Sequence, residues 1–221
     1  MWAALGQVLP IAVAAAMSSV PILIALSILL SPHKRQSGPA FLFGWIVGIA
    51  VALVAFTALA HVIPSVPPRK SQVAIGVSLI VIGLALIILA IVVWRRAAQP
   101  EAAVNPRWLA AAKTLAPLPA FGLAVALNFR PKGLLLSAAA GLSLRGQNLT
   151  LGQFAVVILI YTAISASAVA LPVIASVARP ATTERQLIRA QDWLARNNRI
   201  VSTAILTLIG TVVLGNGLAH L

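Results

Sequence analysis

The sequence predicts an all-α integral membrane protein of six transmembrane helices, built as an inverted 3+3 repeat in which helices one and four are broken. Three observations carry that prediction. Of the 221 residues, 61% are hydrophobic and only 9% charged, against about a quarter charged in a soluble domain, and the mean hydropathy is +1.02. Six runs are apolar enough to cross the hydrocarbon core, about 30 Å thick, which takes about 20 residues. The first and fourth of these runs each hold a proline beside polar residues in their interior.

Composition also excludes function classes. The chain has no cysteine, which removes disulfides, thiolate metal sites and thiol redox relays together. Glu101, Glu184 and Asp192 are its only acids, too few for paired-carboxylate hydrolysis or a carboxylate-rich metal site. No cofactor or metal is implied, and no nucleophile–base pair falls within the apolar runs, so an enzyme is not expected. All three acids lie in linkers, which excludes proton coupling through a buried carboxylate. Sixteen Lys and Arg give a net charge of +13, a balance that in a soluble protein would suggest nucleic acid. Here most of them gather in short loops between apolar runs, so the pattern is that of membrane topology and no nucleic-acid partner is expected.

The first run extends from Trp2 to Ser31. It lacks a basic n-region and exceeds a signal-peptide core, so it is expected to be retained as a helix. The second runs from Gly38 to Ile63 and the third from Gln72 to Trp94. Gly44 and Gly48 form a GxxxG, and Gly76 and Gly83 share a similar face, so both pairs are expected to admit a neighbouring helix closely. His61, near the end of the second run, is expected at the membrane interface. Residues 1–94 make the first three-helix repeat. Residues 95–116 form a cytoplasmic linker holding a short helix, with Asn105 as its cap and Pro106 at its first position.

The second repeat covers 117–221. Its runs are Pro117 to Leu144, Leu151 to Ala178 and Ile200 to His220. Pro172 and the small residues from Ser165 are expected to kink and thin helix five, and Tyr161 is within reach of a central cavity. Threonines 203, 207 and 211 recur along helix six and are expected to bond back to their own helix. Ahead of helix six, residues 183–198 form an amphipathic helix opened by the capping-box spacing of Thr183 and Gln186. Leu187, Ala190, Trp193 and Leu194 share one face and Arg185, Arg189 and Arg196 the other, so this helix is expected to lie in the headgroup plane.

Orientation follows from loop charge. The connections after helices one, three and five hold Lys34, Arg35, Arg95, Arg96, Arg107, Lys113, Arg179, Arg185, Arg189, Arg196 and Arg199, whereas the other side holds Arg69, Lys70 and Arg145. The basic loops are therefore expected in the cytoplasm, with Trp94, Trp108 and Trp193 at the inner interface and both termini outside the plasma membrane.

Two cations fall outside this scheme. In the fourth run, residues 117–127 advance about 16 Å at 1.5 Å per residue, which puts Asn128-Phe129-Arg130-Pro131-Lys132 near the bilayer midplane. Pro131 disfavours helix at Arg130, and the helix is expected to restart at Gly133. In the first run, aligning Pro21 on Pro131 sets Ser18 on Asn128 and Ser27 on Ser137. Ile22 to Ser31 spans about 15 Å, so both breaks sit at one depth in helices of opposite direction. Interrupted helices at corresponding positions of two halves mark the binding site of transporters.

Arg130 and Lys132 have no intramembrane acid to pair with, and a cation at mid-membrane is costly. A helix restarting after Pro131 turns its amides and positive dipole end to the same spot. An anionic headgroup or carboxylate is expected there, held by Arg130, Lys132, Asn128, Pro131 and Gly133, with Ser18, Ser19, Pro21 and Ser27 facing it from helix one. The alternative is that Arg130 caps the carbonyls of the first half-helix and Lys132 sits in a wet cytoplasmic vestibule.

The proline-broken first helix, the segment SPHKRQSGPAFLFGW leading into helix two, and NFRPKGLLLSAAAG in helix four resemble the lysine-exporter superfamily. The similarity is to its branch of peptidoglycolipid-addressing and sulfolipid-addressing proteins of actinobacteria. That branch reads approximately Asn-Pro-Lys, a leucine run and Ala-Ala-Gly in helix four. Asn128, Pro131, Lys132, Leu134 to Leu136 and Ala138 to Gly141 fill those places, while Phe129-Arg130 stands as an insertion. The resemblance implies a six-helix, dimeric inner-membrane exporter that moves a cell-envelope glycolipid across the plasma membrane, beside a larger lipid-export protein. The expected function is thus a transporter or flippase for a polar or anionic lipid. The alternatives are an exporter of amino acids or other small organic anions, and an accessory scaffold with no transport of its own.

Overall fold

The computed structural model describes residues 1–62, 68–96, 112, 114–145, 147, 149–178 and 180–219. The linker helix expected from Asn105, with Arg107, Trp108 and Lys113, lies outside the described residues. So do Glu101, Arg179 and His220, and the side chains of His61, Arg69, Lys70, Thr183, Glu184 and Arg199.

The described residues form α-helices: α1 (Trp2–Ala16), α2 (Ser19–Leu29), α3 (Lys34–Val62), α4 (Pro68–Arg96), α5 (Pro117–Asn128), α6 (Pro131–Arg145), α7 (Leu151–Ala178) and α8 (Pro180–Leu218). Stretches of α3, α4, α7 and α8 are long and apolar enough to cross a membrane, and α1 with α2, bent by 49° at their break, make a fifth broken span. Six spans were expected. The fourth run is divided instead into α5, a shorter apolar helix, and α6, which starts beside the two cations.

Apolar residues buried at a helical spacing define how each helix faces the core. On α7 the buried stripe is Val157, Tyr161, Ser165, Val169 and Val173; on α3 it includes Phe41, Trp45, Ile49, Leu53 and Thr57. Lipid is as apolar as leucine, so burying apolar area drives helix association weakly and close van der Waals packing of small residues does more. The glycines read from sequence serve that purpose. A Cβ on Gly44 would lie 2.5 Å from the Phe121 carbonyl oxygen on α5, and one on Gly83 would lie 2.8 Å from the Leu214 amide and 2.9 Å from the Gly210 carbonyl on α8. Gly217 of α8 sits equally close to the Gly76 carbonyl of α4, and Gly141 of α6 to the α3 backbone at Phe56 and Thr57. The most extensive helix pairs are accordingly α4 with α8 and α3 with α5.

Several buried hydroxyls turn back on their own helices. Ser27, Thr57 and Ser143 each donate to the carbonyl four residues earlier at 2.8–2.9 Å. Exposed Thr211 does the same to Thr207, as its spacing predicts, but the hydroxyl of Thr203, expected to bond back likewise, has no hydrogen-bond partner. Ser165 donates across to the Ala12 carbonyl at 3.3 Å and so joins α7 to α1. Pro172, where a kink in helix five is expected, lies inside α7, which continues as one helix through Ala178.

One segment departs from the expectation. The amphipathic stretch 183–198 is not separate from helix six: α8 is a single helix of 39 residues. The sequence has no glycine or proline between 181 and 209 to interrupt it. Pro180 occupies the first helical position, where its missing N–H costs nothing, so Thr183 lies within the helix rather than at its cap. Leu187 and Leu194 are buried, whereas Ala190 and Trp193 are exposed. The inward face is therefore Leu187, Gln191 and Leu194, and Gln191 Nε2 donates to Ser27 Oγ on α2 at 2.8 Å.

The glycine seams make opposite predictions for one substitution. Gly83→Ala should destabilise the detergent-solubilised protein by about 1–3 kcal/mol through overpacking. Gly122→Ala, with open space around its Cβ, should be neutral or stabilising by up to about 1 kcal/mol. Thermal unfolding of both variants beside the parent checks the pair.

Candidate functional site

Both helix breaks are local consequences of their sequences. At the first, α1 ends with Met17 donating to the Val13 carbonyl, and Ser18 adopts an extended conformation (φ −88°, ψ 108°) before α2 begins at Ser19. At the second, α5 closes with a tight turn in which Phe129 donates to Ala126 and Arg130 to Leu127. The helix restarts at Pro131, two residues earlier than the sequence suggests, because proline fits the first position of a helix. The first full helical bond of α6 is then Leu134 to the Arg130 carbonyl, at 2.9 Å. The amides of Lys132 and Gly133 lie ahead of it, at the positive end of the helix. Gly133 has a second function: a Cβ there would strike the Asn128 carbonyl oxygen.

Asn128, buried at the end of α5, is fixed from two sides. Its Nδ2 donates to the Ala124 carbonyl at 3.0 Å, and Gly48 of α3 leaves the only space for its amide, since a Cβ at Gly48 would meet Nδ2. The Gly44–Gly48 pair thus positions the break as well as packing the helix.

The two breaks face one cavity of about 330 Å³, partly open to the surroundings. Ser18, Ser19 and Pro21 line it from helix one; Asn128, Arg130, Pro131, Lys132 and Gly133 line it from the other break. Eight of the nine residues singled out from sequence are therefore brought together. Ser27 is not. It is wholly buried, bonded to Leu23 and Gln191, about two and a half turns beyond the break, and ties α8 to α2 instead.

Burial is graded across the site. Ser19 and Asn128 are buried and Lys132 half-buried, whereas Arg130 is exposed. Arg130 therefore sits toward the open side of the cavity, with Lys132 deeper. The half-helices match in length around it: α2 and α5 have 11 and 12 residues, α1 and α6 have 15 each. At 1.5 Å per residue the breaks lie about 17 Å from one end of the bundle and about 22 Å from the other.

Sequence reasoning missed part of the lining. Trp45 and Ile49 come from α3, Leu89 and Val93 from α4, and Ser202 and Leu206 from α8. Ser202 Oγ and Ser19 Oγ are 2.8 Å apart, joined by a hydrogen bond, so α8 is held to α2 at the level of the break. Tyr161 of α7 does line the cavity, as does Ser137 of α6. Nothing in the sequence distinguishes Trp45 or Ser202 from their neighbours; helical spacing from the glycines of α3 and from Gly210 of α8 was the available signal. Among the described residues no group of His, Asp and Glu side chains could hold a metal ion. In chemical terms the site offers two cations, two helix N-termini and serine hydroxyls on one side, and an apolar wall on the other.

A family model described as Sap, sulfolipid-1-addressing protein, matches residues 8–219. No curated protein matches the chain, and no solved structure does.

The absence of native cysteine allows the cavity to be mapped. Ser137→Cys and Ser202→Cys, on different helices, should both react with a small thiol reagent. Ser143→Cys, buried on the same helix as Ser137 but away from the cavity, should stay unreactive under the same treatment. Labelling followed by intact-mass measurement checks this.

Proposed function

The chain belongs to the sulfolipid-1-addressing protein family, and from that premise we propose that it is a membrane transporter or flippase for an anionic cell-envelope lipid. The observation that carries the reading is the convergence of Arg130, Lys132 and two half-helix N-termini on one partly open cavity with an apolar wall. An anion is what this arrangement lacks. The amides at a helix N-terminus and the helix dipole favour negative charge, and a sulfate or phosphate headgroup presents the oxygens that they and the cations would share. The family description names a sulfolipid, which makes a sulfated glycolipid the first cargo to test.

In this reading Lys132 and the amides of Gly133 and Ser19 hold the headgroup, and Arg130 meets it at the open side. The acyl chains stay against Leu89, Val93 and Leu206 and continue into the bilayer. The six runs then count as six spans, with α1–α2 and α5–α6 as the two broken ones. The chain would consist of two halves of opposite direction. The matched half-helix lengths and the extensive pairing of α4 with α8 support that arrangement. Movement of the headgroup follows when one half tilts against the other around the fixed site. No carboxylate in the spans is available for proton coupling, so the cargo moves downhill or is drawn by a larger export protein. The basic linkers face the cytoplasm, both termini face outward, and the plasma membrane is the expected location.

Native mass spectrometry with lipid analysis on the gently purified protein tests the proposal. The parent should retain a defined anionic amphiphile, and Arg130→Ala/Lys132→Ala should bind it about 10- to 100-fold more weakly, the loss expected from one or two charge-assisted contacts. Retention of the same bulk lipid by both proteins would contradict the headgroup site. Retention of a small organic anion without tails would favour solute export instead.

A further inference from the structure

The cavity's opening can be assigned to one pair of helices. Two of the helices around it are welded to other partners by glycine. On α5, Phe121 and Asn128 lie against Gly44 and Gly48 of α3, and α4 is held to α8 through Gly83 and Gly210. At Gly44, Gly83 and Gly210 the neighbouring backbone leaves no room for a methyl group, and at Gly48 the Asn128 side-chain amide fills the space, so each pair behaves as a rigid unit. Between α4 and α5, by contrast, contact among the described residues is no more than marginal: α5 packs extensively on α3 and only slightly on α6, whereas α4 touches α6 as well as α8. The cavity is lined on both sides of this seam, by Leu89 and Val93 from α4 and by Leu127 and Arg130 from α5 and its end. Arg130, exposed at that rim, carries the charge, and the three residues around it are apolar.

We infer that the seam between α4 and α5 is the side entrance through which a double-natured ligand enters, its anionic head reaching the helix breaks and its tail remaining between Val93 and Leu127. This rests on the headgroup reading above and adds to it the ligand's shape and path. A ligand enclosed on all sides would need no apolar gap between two rigid pairs. An amphiphile does, because withdrawing its whole tail from lipid would cost roughly 0.8 kcal/mol for every CH₂ exposed. The neighbouring seam between α2 and α8 is closed at both levels by Ser19–Ser202 and Ser27–Gln191.

The native chain has no cysteine, so a reducible bridge can lock one seam at a time. In lipid nanodiscs, Val93→Cys/Leu127→Cys is cross-linked with a cleavable bifunctional thiol reagent. Ser27→Cys/Gln191→Cys, away from the cavity, is treated the same way. Each is then offered sulfated galactosyl ceramide, or galactose 3-sulfate, which has the same head and no tail. The expected result is loss of ceramide loading in the α4–α5 lock, its recovery on reduction, retained binding of the free sugar sulfate, and no effect of the α2–α8 lock. Recovery on reduction shows that the bridged protein was folded. Ceramide loading through a locked α4–α5 seam would overturn the inference, as would loss of loading on locking α2–α8 alone. Binding of the sugar sulfate but not the ceramide by the unlocked protein would also overturn it while leaving an anion site in place. If the unlocked protein binds neither probe, the headgroup reading falls and the entrance with it.

Discussion

A helix interrupted inside a membrane leaves amides and carbonyls that lipid cannot satisfy, and this membrane protein carries two helix breaks on the wall of one cavity. Irregular backbone at membrane depth is tolerated where it is enclosed by protein or lines a polar space, and both conditions are met here. The carbonyls of Ala126 and Leu127 are taken up by the tight turn through Phe129 and Arg130, whereas the residues opening α6 line the cavity. The rest of the architecture serves to hold these two helix ends together. Gly48 and Gly133 clear space for Asn128, Ser202 closes α8 onto Ser19, and Gln191 pins the lower part of the same helix onto Ser27.

Charge follows from the same constraint. A lysine or arginine at this depth is expensive unless it finds an anion, water or backbone carbonyls. Arg130 is exposed and Lys132 half-buried, so the cations sit where a headgroup could enter with part of its hydration and complete its contacts inside. The polar groups lie at the helix breaks, on serines and on Trp45 and Tyr161, and the wall of Ile49, Leu89, Val93 and Leu206 is apolar. That division into a charged end and a greasy wall suits an amphiphile better than a small hydrophilic solute.

Much of this was legible in the sequence because prolines, glycines and unpaired charges act locally. Pro131 and Pro21 located the breaks, Gly44, Gly48 and Gly83 the close helix crossings, and Arg130 and Lys132 the charge without a partner. The residues that escaped notice, Trp45 and Ser202, belong to helices that are unremarkable along their length, and their facing depends on how α3 and α8 rotate against their neighbours. The same limit explains Ser27. Its alignment with Ser137 was sound as a pattern, but the α2 helix turns it toward Gln191 rather than the cavity. The amphipathic stretch before helix six read as a separate surface helix because its charges ended the apolar run. Charge does not break a helix, and with no glycine or proline in 181–209 the backbone continued unbroken. Restart of helix four at Pro131 rather than Gly133 has the same root, since a proline that ends one helix is a good first residue for the next.

Cryo-electron microscopy of the protein in nanodiscs containing a sulfated glycolipid would test the central claim most directly. The account predicts headgroup density between the two helix breaks, within hydrogen-bond distance of Lys132 and of the amides at Gly133 and Ser19. A cavity holding only water, with the glycolipid confined to the outer surface of the bundle, would contradict it.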